Sequence, residues 1–336
     1  MKKINIAING FGRIGRAAFK VIWLRFPNLN IVAINDLADT GTLAHLLRYD
    51  SVYGSTKQDI RASQGELIFN GRHIPVLAVK DPLELPWKKL QVDVVLECTG
   101  RFTSRDDLNK HLQAGAKKVV LSAPAKSGDV PIIVPGVNLD KIRKNSKILS
   151  CASCTTNCLA PVTQVIKQAF GIKKALMTTV HSYTADQNLV DGPHKDWRRA
   201  RAAATNIIPT TTGAAIAVSE TIPSLREKFD GLAVRVPTPV GSLCDTVYVL
   251  NKKTTLEKVN HTLIKAAQGK WRGIIESSSE ELVSSDIVGN PHSAIVDLKN
   301  TRLIDGDLLK IISWYDNEWG YANRLVELAE HFDGLK

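Results

Sequence analysis

The sequence predicts an α/β protein. A doubly wound parallel sheet comes first, and an α+β domain built on a mainly antiparallel sheet follows. Three observations predict this. Short, apolar, β-branched runs alternate with helical patterns up to about residue 124, as in a parallel sheet covered on both faces. From about residue 171 the apolar runs lengthen and fewer helical patterns separate them. The length, 336 residues, suits two domains with ample cores.

KINIAIN, residues 3–9, reads as the first strand. Residues 12–25 suit a helix that ends before Pro27. NIVAIN (30–35) is the next strand, and residues 36–91 read as largely irregular. VDVVLECTG (92–100) and KKVVLSAP (117–124) are further strands, with a polar segment of helical spacing, 104–114, between them. The domain boundary is expected near 150–154, giving domains 1–153 and 154–317. ASCTTNCLAP reads as a helix start, with Ser and Thr as capping residues. ALMTTVHSYT (175–184), GLAVRVPT (231–238), LCDTVYVLN (243–251) and LLKIISWY (308–315) are the longer strands. PTTTGAA (209–215) is a short turn. In the final segment, apolar residues at 322, 325, 326, 329 and 332 share one helical face. This helix, 318–336, is expected to pack back on the first domain.

Composition narrows the function classes. The hydrophobic share is 44% and the charged share 23%, as in a soluble globular protein. No run of 18 apolar residues occurs, so no membrane span is expected. The start, MKKINIAING, reads as a strand and not as a signal peptide. Five cysteines without a spread-out pairing pattern fit reduced thiols in a cytoplasmic protein. The net charge of +11 attracts phosphates, on small metabolites or on nucleic acid. The charge is scattered and no nucleic-acid-binding motif accompanies it, so nucleic acid is not expected as the main partner.

NGFGRIGR (9–16) places Gly10, Gly12 and Gly15 in G-x-G-x-x-G spacing after a strand and at the start of a helix. An acid, Asp36, follows 21 residues after Gly15. Gly10 permits a tight turn, Gly12 lets backbone approach a pyrophosphate, and Gly15 lets helix pack on strand. The helix N-terminus offers N–H groups to phosphates. Asp36 can accept hydrogen bonds from a ribose 2′-hydroxyl, which favours NAD over NADP. The first domain therefore reads as a Rossmann-type dinucleotide-binding domain. An ordinary tight strand–helix turn is the plainer alternative, and it leaves Asp36 unexplained.

SCASCTTNCLAP (150–161) holds three of the five cysteines. A metal site would need a second cysteine pair or matched histidines, and Cys98 and Cys244 stand alone, so no metal is expected. A cysteine in the first turn of a helix faces its positive end, which should lower the thiol pKa. Cys154 is that cysteine, and taken alone it is as readily buried core as catalytic; Cys158 lies one turn deeper and is expected to pack inside. His181, at the end of an apolar strand, could serve as base only if it faces Cys154; a lone strand histidine is otherwise structural.

INGFGRIGR, NDL, ECTGRF, LSAPAK, ASCTTNCLAP, TTVHSYT, PHKDWRRARAA, NIIPTTTGAA, RVPTP and SWYDNEWGY follow in this order along nearly the whole chain. In these motifs the sequence resembles phosphorylating glyceraldehyde-3-phosphate dehydrogenases. The resemblance implies that an aldehyde, inorganic phosphate and NAD give an acyl phosphate and NADH, through a cysteine hemithioacetal and thioester. It implies Cys154 as nucleophile and His181 as base, with Ser153 and Thr155 flanking the thiol and helping to hold phosphate. Thr184, Asp186 and Arg235 would line the substrate-phosphate pocket. Thr212, Gly213 and one arginine of WRRAR, taken as Arg199, would line the inorganic-phosphate pocket. Phe11, Gly12, Arg13, Ile14 and Asp36 would hold the adenosine half of NAD, with Lys80 near the adenine. Thr99, Ser122 and Asn317 would support the nicotinamide side. The resemblance further implies glyceraldehyde 3-phosphate as substrate and a homotetramer, in which loop 181–206 reaches towards a neighbour's cofactor. The alternatives are an erythrose-4-phosphate dehydrogenase and a non-catalytic RNA-binding role.

Three positions depart from the commoner family pattern. Val240-Gly241 stands where many relatives carry Asn-Val, and a glycine there is expected to loosen a strand. Gly192 precedes Pro193: the proline supports NAD, and the glycine should make that loop less rigid. Cys151 stands where asparagine is usual; it is either inert packing or a thiol able to resolve oxidised Cys154.

Overall fold

The computed structural model describes residues 3–126 and 129–334. The chain forms two compact units. One comprises residues up to 133, 138–152 and from 322 onward; the other comprises 134–137 and 153–321.

The first unit contains β1 (Ile4–Asn9), α1 (Arg13–Arg25), β2 (Leu29–Asn35), α2 (Thr40–Arg48), the two-residue strands β3 (Tyr49–Asp50) and β4 (Gly54–Ser55), β5 (Ile60–Ser63), β6 (Glu66–Phe69), β7 (Arg72–Leu77), β8 (Val94–Glu97), α3 (Arg105–Gln113), β9 (Lys118–Leu121) and β10 (Ile148–Ser150). Its sheet runs in the order β10-β9-β8-β1-β2-β7-β6-β5. All pairs from β10 to β7 are parallel; β5, β6 and β7 form antiparallel hairpins. Ile6, Ala7 and Ile8 of β1 are fully buried, as expected of a central parallel strand covered on both faces.

The order reverses at β1, whose neighbours are β2 and β8, so the carboxyl ends of these three strands flank a topological switch point. The stretch 36–91, read from sequence as irregular, instead holds α2 and the hairpins. The Asp39 carboxylate caps α2 by accepting the Thr42 N–H at 2.9 Å. Asn70 (φ 50°) and Gly71 (φ 77°) make the two-residue turn between β6 and β7. Asn-Gly is the residue pair such a turn favours.

The second unit contains α4 (Cys154–Phe170), β11 (Ile172–Ser182), β12 (Ile208–Thr210), α5 (Ala214–Thr221), β13 (Phe229–Val236), β14 (Ser242–Leu250), α6 (Leu256–Gln268), β15 (Ile275–Ser278), β16 (Ala294–Ile304) and β17 (Leu308–Tyr315). Its sheet runs β12-β13-β11-β14-β17-β16-β15. It is mainly antiparallel, with two parallel pairs, β11/β13 and β15/β16. On β11, Ala175, Met177, Thr179 and His181 are buried, whereas Leu176 between them is 65% exposed. The strand therefore turns one face to α4 and leaves the other open. A groove of about 880 Å³ lies on that open side, lined in part by Leu176, Ile216, Val247, Val249 and Leu308. The last helix, α7 (Trp319–Gly334), begins in the second unit and belongs to the first from residue 322. Among the described residues no helix is long and apolar enough to cross a membrane.

Gly241 departs from expectation. It precedes β14, with φ +94°, and an added Cβ would lie 2.3 Å from the Ser284 carbonyl oxygen. It therefore makes a tight turn that only glycine adopts without strain, and does not loosen a strand. Gly192 is also held: its N–H donates to the Ala200 carbonyl at 2.9 Å, and its own carbonyl accepts from Asn188 Nδ2 at 2.6 Å. The loop there is tied, contrary to the sequence expectation.

Candidate active site

In the second unit, helix α4 starts at Cys154 because Ser153 caps it, its Oγ accepting the Thr156 N–H at 3.2 Å. No acidic residue occupies the first turn, so nothing on the helix itself opposes a negative charge at Cys154. Ala152, just before the cap, has φ +57°, a conformation uncommon for a residue with a Cβ. His181 reaches the thiol from the end of β11: Cys154 Sγ lies 3.4 Å from His181 Nε2.

The tautomer follows from the other side of the ring. Nδ1 lies 2.7 Å from the Ser182 carbonyl oxygen, which can only accept, and 3.0 Å from Arg235 Nη1, which can only donate; Nη1 is satisfied by that same carbonyl at 2.9 Å, so the shorter contact assigns the proton to Nδ1. Nε2 is left with a lone pair facing the sulfur, and the thiol donates to it. The parallel register pairs His181 directly with Arg235, which brings the guanidinium beside the ring.

Burial pushes the Cys154 thiol up to about 11, against the pull of Arg235 and a hydrogen bond from Thr155. Burial likewise holds His181 down to about 3, with Arg235 adding to the effect. The lowered thiol pKa expected from the helix start is therefore not found. The pair is a neutral thiol against a neutral imidazole.

Around this pair the second unit gathers further side chains. Arg235 Nη1 lies 3.4 Å from Thr184 Oγ1, and Arg235 Nε is buried without a hydrogen-bond partner. Of the arginines at 198–201, Arg199 is the one fixed against the expected pocket residues. It pairs with Asp186 at 2.6 Å, donates to Thr210 Oγ1 at 3.0 Å and donates to the Thr211 carbonyl at 3.1 Å. Thr212 Oγ1 accepts the Ala214 N–H at 3.2 Å, and Gly213 is the exposed residue before α5. Thr155 is buried, its hydroxyl 2.9 Å from Tyr315 Oη, which also meets Thr179 Oγ1 at 2.9 Å.

Asn317 is buried. Its Oδ1 accepts from Ser242 Oγ at 2.9 Å and from the Gly241 N–H at 3.2 Å, while Ser242 Oγ accepts the Ser182 N–H at 3.1 Å. Tyr315 and Ser242 were not singled out from sequence. Tyr315 sits inside the SWYDNEWGY motif and Ser242 lies just beyond RVPTP, but neither carries chemistry that marks it in isolation.

None of the remaining cysteines forms a disulfide. Cys158 is buried and packs with Cys244. Cys151 is fully buried in the first unit, where Cys98 is an electrostatic neighbour, so inert packing is the reading its burial favours. Among the described residues no group of three or more His, Cys, Asp or Glu side chains is arranged to hold a metal.

In the first unit, the glycines of residues 10–15 behave as three different devices. A Cβ on Gly10 would lie 2.6 Å from Thr99 N, and one on Gly15 would lie 2.1 Å from the Gly10 carbonyl oxygen. A Cβ on Gly12 would meet nothing within 4 Å, so the loop is open on that side, at the N-terminus of α1. The Asp36 carboxylate accepts the Phe11 N–H at 2.7 Å and the Ala38 N–H at 3.0 Å, which fixes it at the end of β2 with lone pairs to spare.

Phe11 contributes backbone here; its ring is buried against Phe19. Arg13 is paired with Asp50 at 2.9 Å, and Ile14 is half-buried in the first turn of α1. Lys80 is exposed after β7. Thr99 follows β8, and its hydroxyl and N–H both donate to Glu97. The Ser122 N–H donates to the Glu97 carbonyl at 2.9 Å, and its hydroxyl bonds Cys98, whose thiol burial pushes up to about 12. An open glycine loop, a helix N-terminus without a side-chain cap and a fixed carboxylate on the next strand fit a dinucleotide.

Comparison with known proteins gives the family of both domains. Residues 4–105 match the family model of the glyceraldehyde 3-phosphate dehydrogenase NAD binding domain, and residues 153–317 match that of the C-terminal domain. The glyceraldehyde-3-phosphate dehydrogenase of Geobacillus stearothermophilus is 52% identical over 329 residues, 98% of each chain. That of Priestia megaterium and glyceraldehyde-3-phosphate dehydrogenase 1 of Bacillus subtilis are also 52% identical over 329 residues, 98% of each chain. With the nucleotide loop, the thiol–imidazole pair and full-length similarity in agreement, the chain belongs to the glyceraldehyde-3-phosphate dehydrogenase family.

Proposed function

We propose that this protein oxidises glyceraldehyde 3-phosphate, with NAD and inorganic phosphate, to 1,3-bisphosphoglycerate. The observation that carries the reading is the Cys154 thiol at 3.4 Å from the lone pair of His181 Nε2. The thiol proton moves to Nε2 as sulfur adds to the aldehyde carbon, and Nε2 returns it to the alkoxide oxygen, which gives the hemithioacetal and leaves His181 neutral again. The Ser182 carbonyl keeps the imidazolium aligned through Nδ1–H, and Arg235 and the N-terminus of α4 favour the sulfur anion. Bound NAD supplies the hydride acceptor. A base is then needed for the hydroxyl proton, and His181 is placed to take it. The cysteine thioester retains the oxidation energy until phosphate displaces the sulfur, a better leaving group than a serine oxygen.

Two anionic groups must be held in this scheme. Thr184, Asp186 and Arg235 form the substrate-phosphate pocket in this reading, and Arg199, Thr212 and Gly213 the inorganic-phosphate pocket. The unpartnered Nε of Arg235 supports an anion there. Ser153, which flanks the thiol, helps to hold phosphate in this reading; the Thr155 hydroxyl is engaged by Tyr315 and shapes the thiol's surroundings instead. Gly10, Phe11, Gly12, Arg13, Ile14, Gly15 and Asp36 hold the adenosine and pyrophosphate of NAD, with Lys80 at the adenine. Thr99, Ser122 and Asn317 serve the nicotinamide. In this reading residues 1–153 with the last helix form the cofactor domain and 154–317 the catalytic domain, in a cytoplasmic homotetramer.

The test is NADH formation followed spectrophotometrically. The wild type should turn over glyceraldehyde 3-phosphate with NAD and phosphate, faster than erythrose 4-phosphate and faster than with NADP. Cys154→Ser should lose at least about a thousandfold, as expected when a nucleophile is removed. Full activity in that variant, or none in the wild type, would overturn the reading.

A further inference from the structure

Beneath the nucleotide loop lies a buried polar chain that the reaction above does not use. Glu97, at the carboxyl end of β8, is fully buried. Four donors surround its carboxylate. Asn9 Nδ2 donates to Oε2 at 2.5 Å, and His111 Nε2 lies 3.1 Å from the same oxygen. The Thr99 N–H donates to Oε1 at 2.8 Å, and the Thr99 hydroxyl donates to the same atom.

The two ends of the chain fix the direction of its amide and imidazole bonds. At one end the Val79 peptide donates to Asn35 Oδ1 and accepts from Asn35 Nδ2, each at 3.0 Å. Asn35 Nδ2 also donates to Asn9 Oδ1 at 2.7 Å, so Asn9 must turn its Nδ2 to Glu97. At the other end the Trp87 indole N–H, which can only donate, points at His111 Nδ1 at 3.0 Å. That nitrogen must accept, so His111 is a neutral ring that donates through Nε2. A proton on Oε2 would face a donor, and a proton on Oε1 would turn the Thr99 hydroxyl into an acceptor and leave that hydroxyl's own hydrogen without a protein partner among the described residues, since its oxygen already accepts the Arg101 N–H at 3.1 Å. Glu97 is therefore a carboxylate, and none of its four donors is a cation.

We propose that the Glu97 charge makes the protein discriminate between the two forms of its cofactor, favouring NAD, whose nicotinamide ring is a cation, over NADH, whose ring is neutral. The inference rests on the reading above, in which Thr99, bonded directly to Glu97, serves the nicotinamide. A buried charge is weakly screened, so it acts beyond its hydrogen-bond partners. The shape of the two cofactor forms is nearly the same; the ring charge is what a carboxylate can sense. Glu97 touches neither cofactor nor substrate in this scheme and acts as a specificity-determining residue through the field.

The experiment measures the dissociation constants of NAD and of NADH separately, by calorimetry, on the whole protein. In Glu97→Gln, which keeps the size and removes the charge, NAD should weaken about tenfold more than NADH. This corresponds to a unit charge felt over on the order of 10 Å at an effective dielectric constant of about 20. In Glu97→Asp, which keeps the charge and loses the fit, both should weaken while their ratio stays within about twofold of the wild type.

A glutamine at 97 sets an amide N–H against a donor. If that variant does not fold, the double variant Glu97→Gln, Trp87→Phe frees His111 to accept through Nε2, and the same ratio is read there. An unchanged NAD-to-NADH ratio in the charge-free variant, or an equal change of ratio in Glu97→Asp, would overturn the inference. Failure of the wild type to bind either form would instead overturn the cofactor reading itself.

Discussion

At the scale of single residues, the candidate site is set by burial acting against charge. Arg235 stands beside both the thiol and the imidazole, and pulls the first down and pushes the second further down. Burial dominates at Cys154, whose thiol sits at about 11. The thiolate fraction of such a group increases about tenfold per pH unit until the pKa is reached. Alkylation of Cys154 by iodoacetamide should therefore keep accelerating from pH 7 through pH 10, with no plateau near the ordinary thiol range. Arg235→Met should slow it roughly tenfold or more at pH 8, because the one guanidinium that favours the anion is gone. Peptide mapping of the labelled protein checks both. A plateau below about pH 9 in the wild type would show a thiolate far better stabilised than this geometry provides.

At the scale of elements, much was legible and the reasons for the rest are specific. The strand carrying His181, the helix opening at Cys154 and the glycine loop before α1 were all readable, because each couples an apolar period to a capping or turn residue. The hairpins at 60–77 were not, although Asn70-Gly71 was the available signal. Their strands are only four to six residues long and half exposed, so alternation is weak within each. The parallel pairing of β11 with β13 was equally hidden, since it joins residues 54 apart in sequence. Yet that pairing is what places Arg235 beside His181.

Gly241 shows the limit of a rule applied without position. Glycine weakens a strand interior, but this one turns the chain at φ +94° against the Ser284 carbonyl. Gly241→Ala should therefore destabilise the fold by about 1–3 kcal/mol, read as a lower urea midpoint with an unchanged slope. Gly241→Val should cost at least as much. Neutral behaviour of both variants would mean that the turn relaxes without strain.

At the scale of the whole molecule, the second unit leaves large apolar side chains exposed on the open side of its sheet. Leu176 is 65% exposed and Ile216 66%, and both line the groove on the open side of the sheet. In the proposed homotetramer a second copy of this chain covers that face. Light scattering on the purified protein should give four chains per particle, and the double variant Leu176→Asp, Ile216→Asp should give a smaller particle. A monomeric wild type would remove the assembly from the proposal and leave the chemistry untouched.

The loop between β11 and β12 carries its own reporter of such assembly. Trp197 is 87% exposed, so its indole should fluoresce as in water. If packing of subunits covers it, emission moves to shorter wavelength, and dilution of the particles would send it back. The native sequence thus provides an optical gauge of association that needs no attached dye.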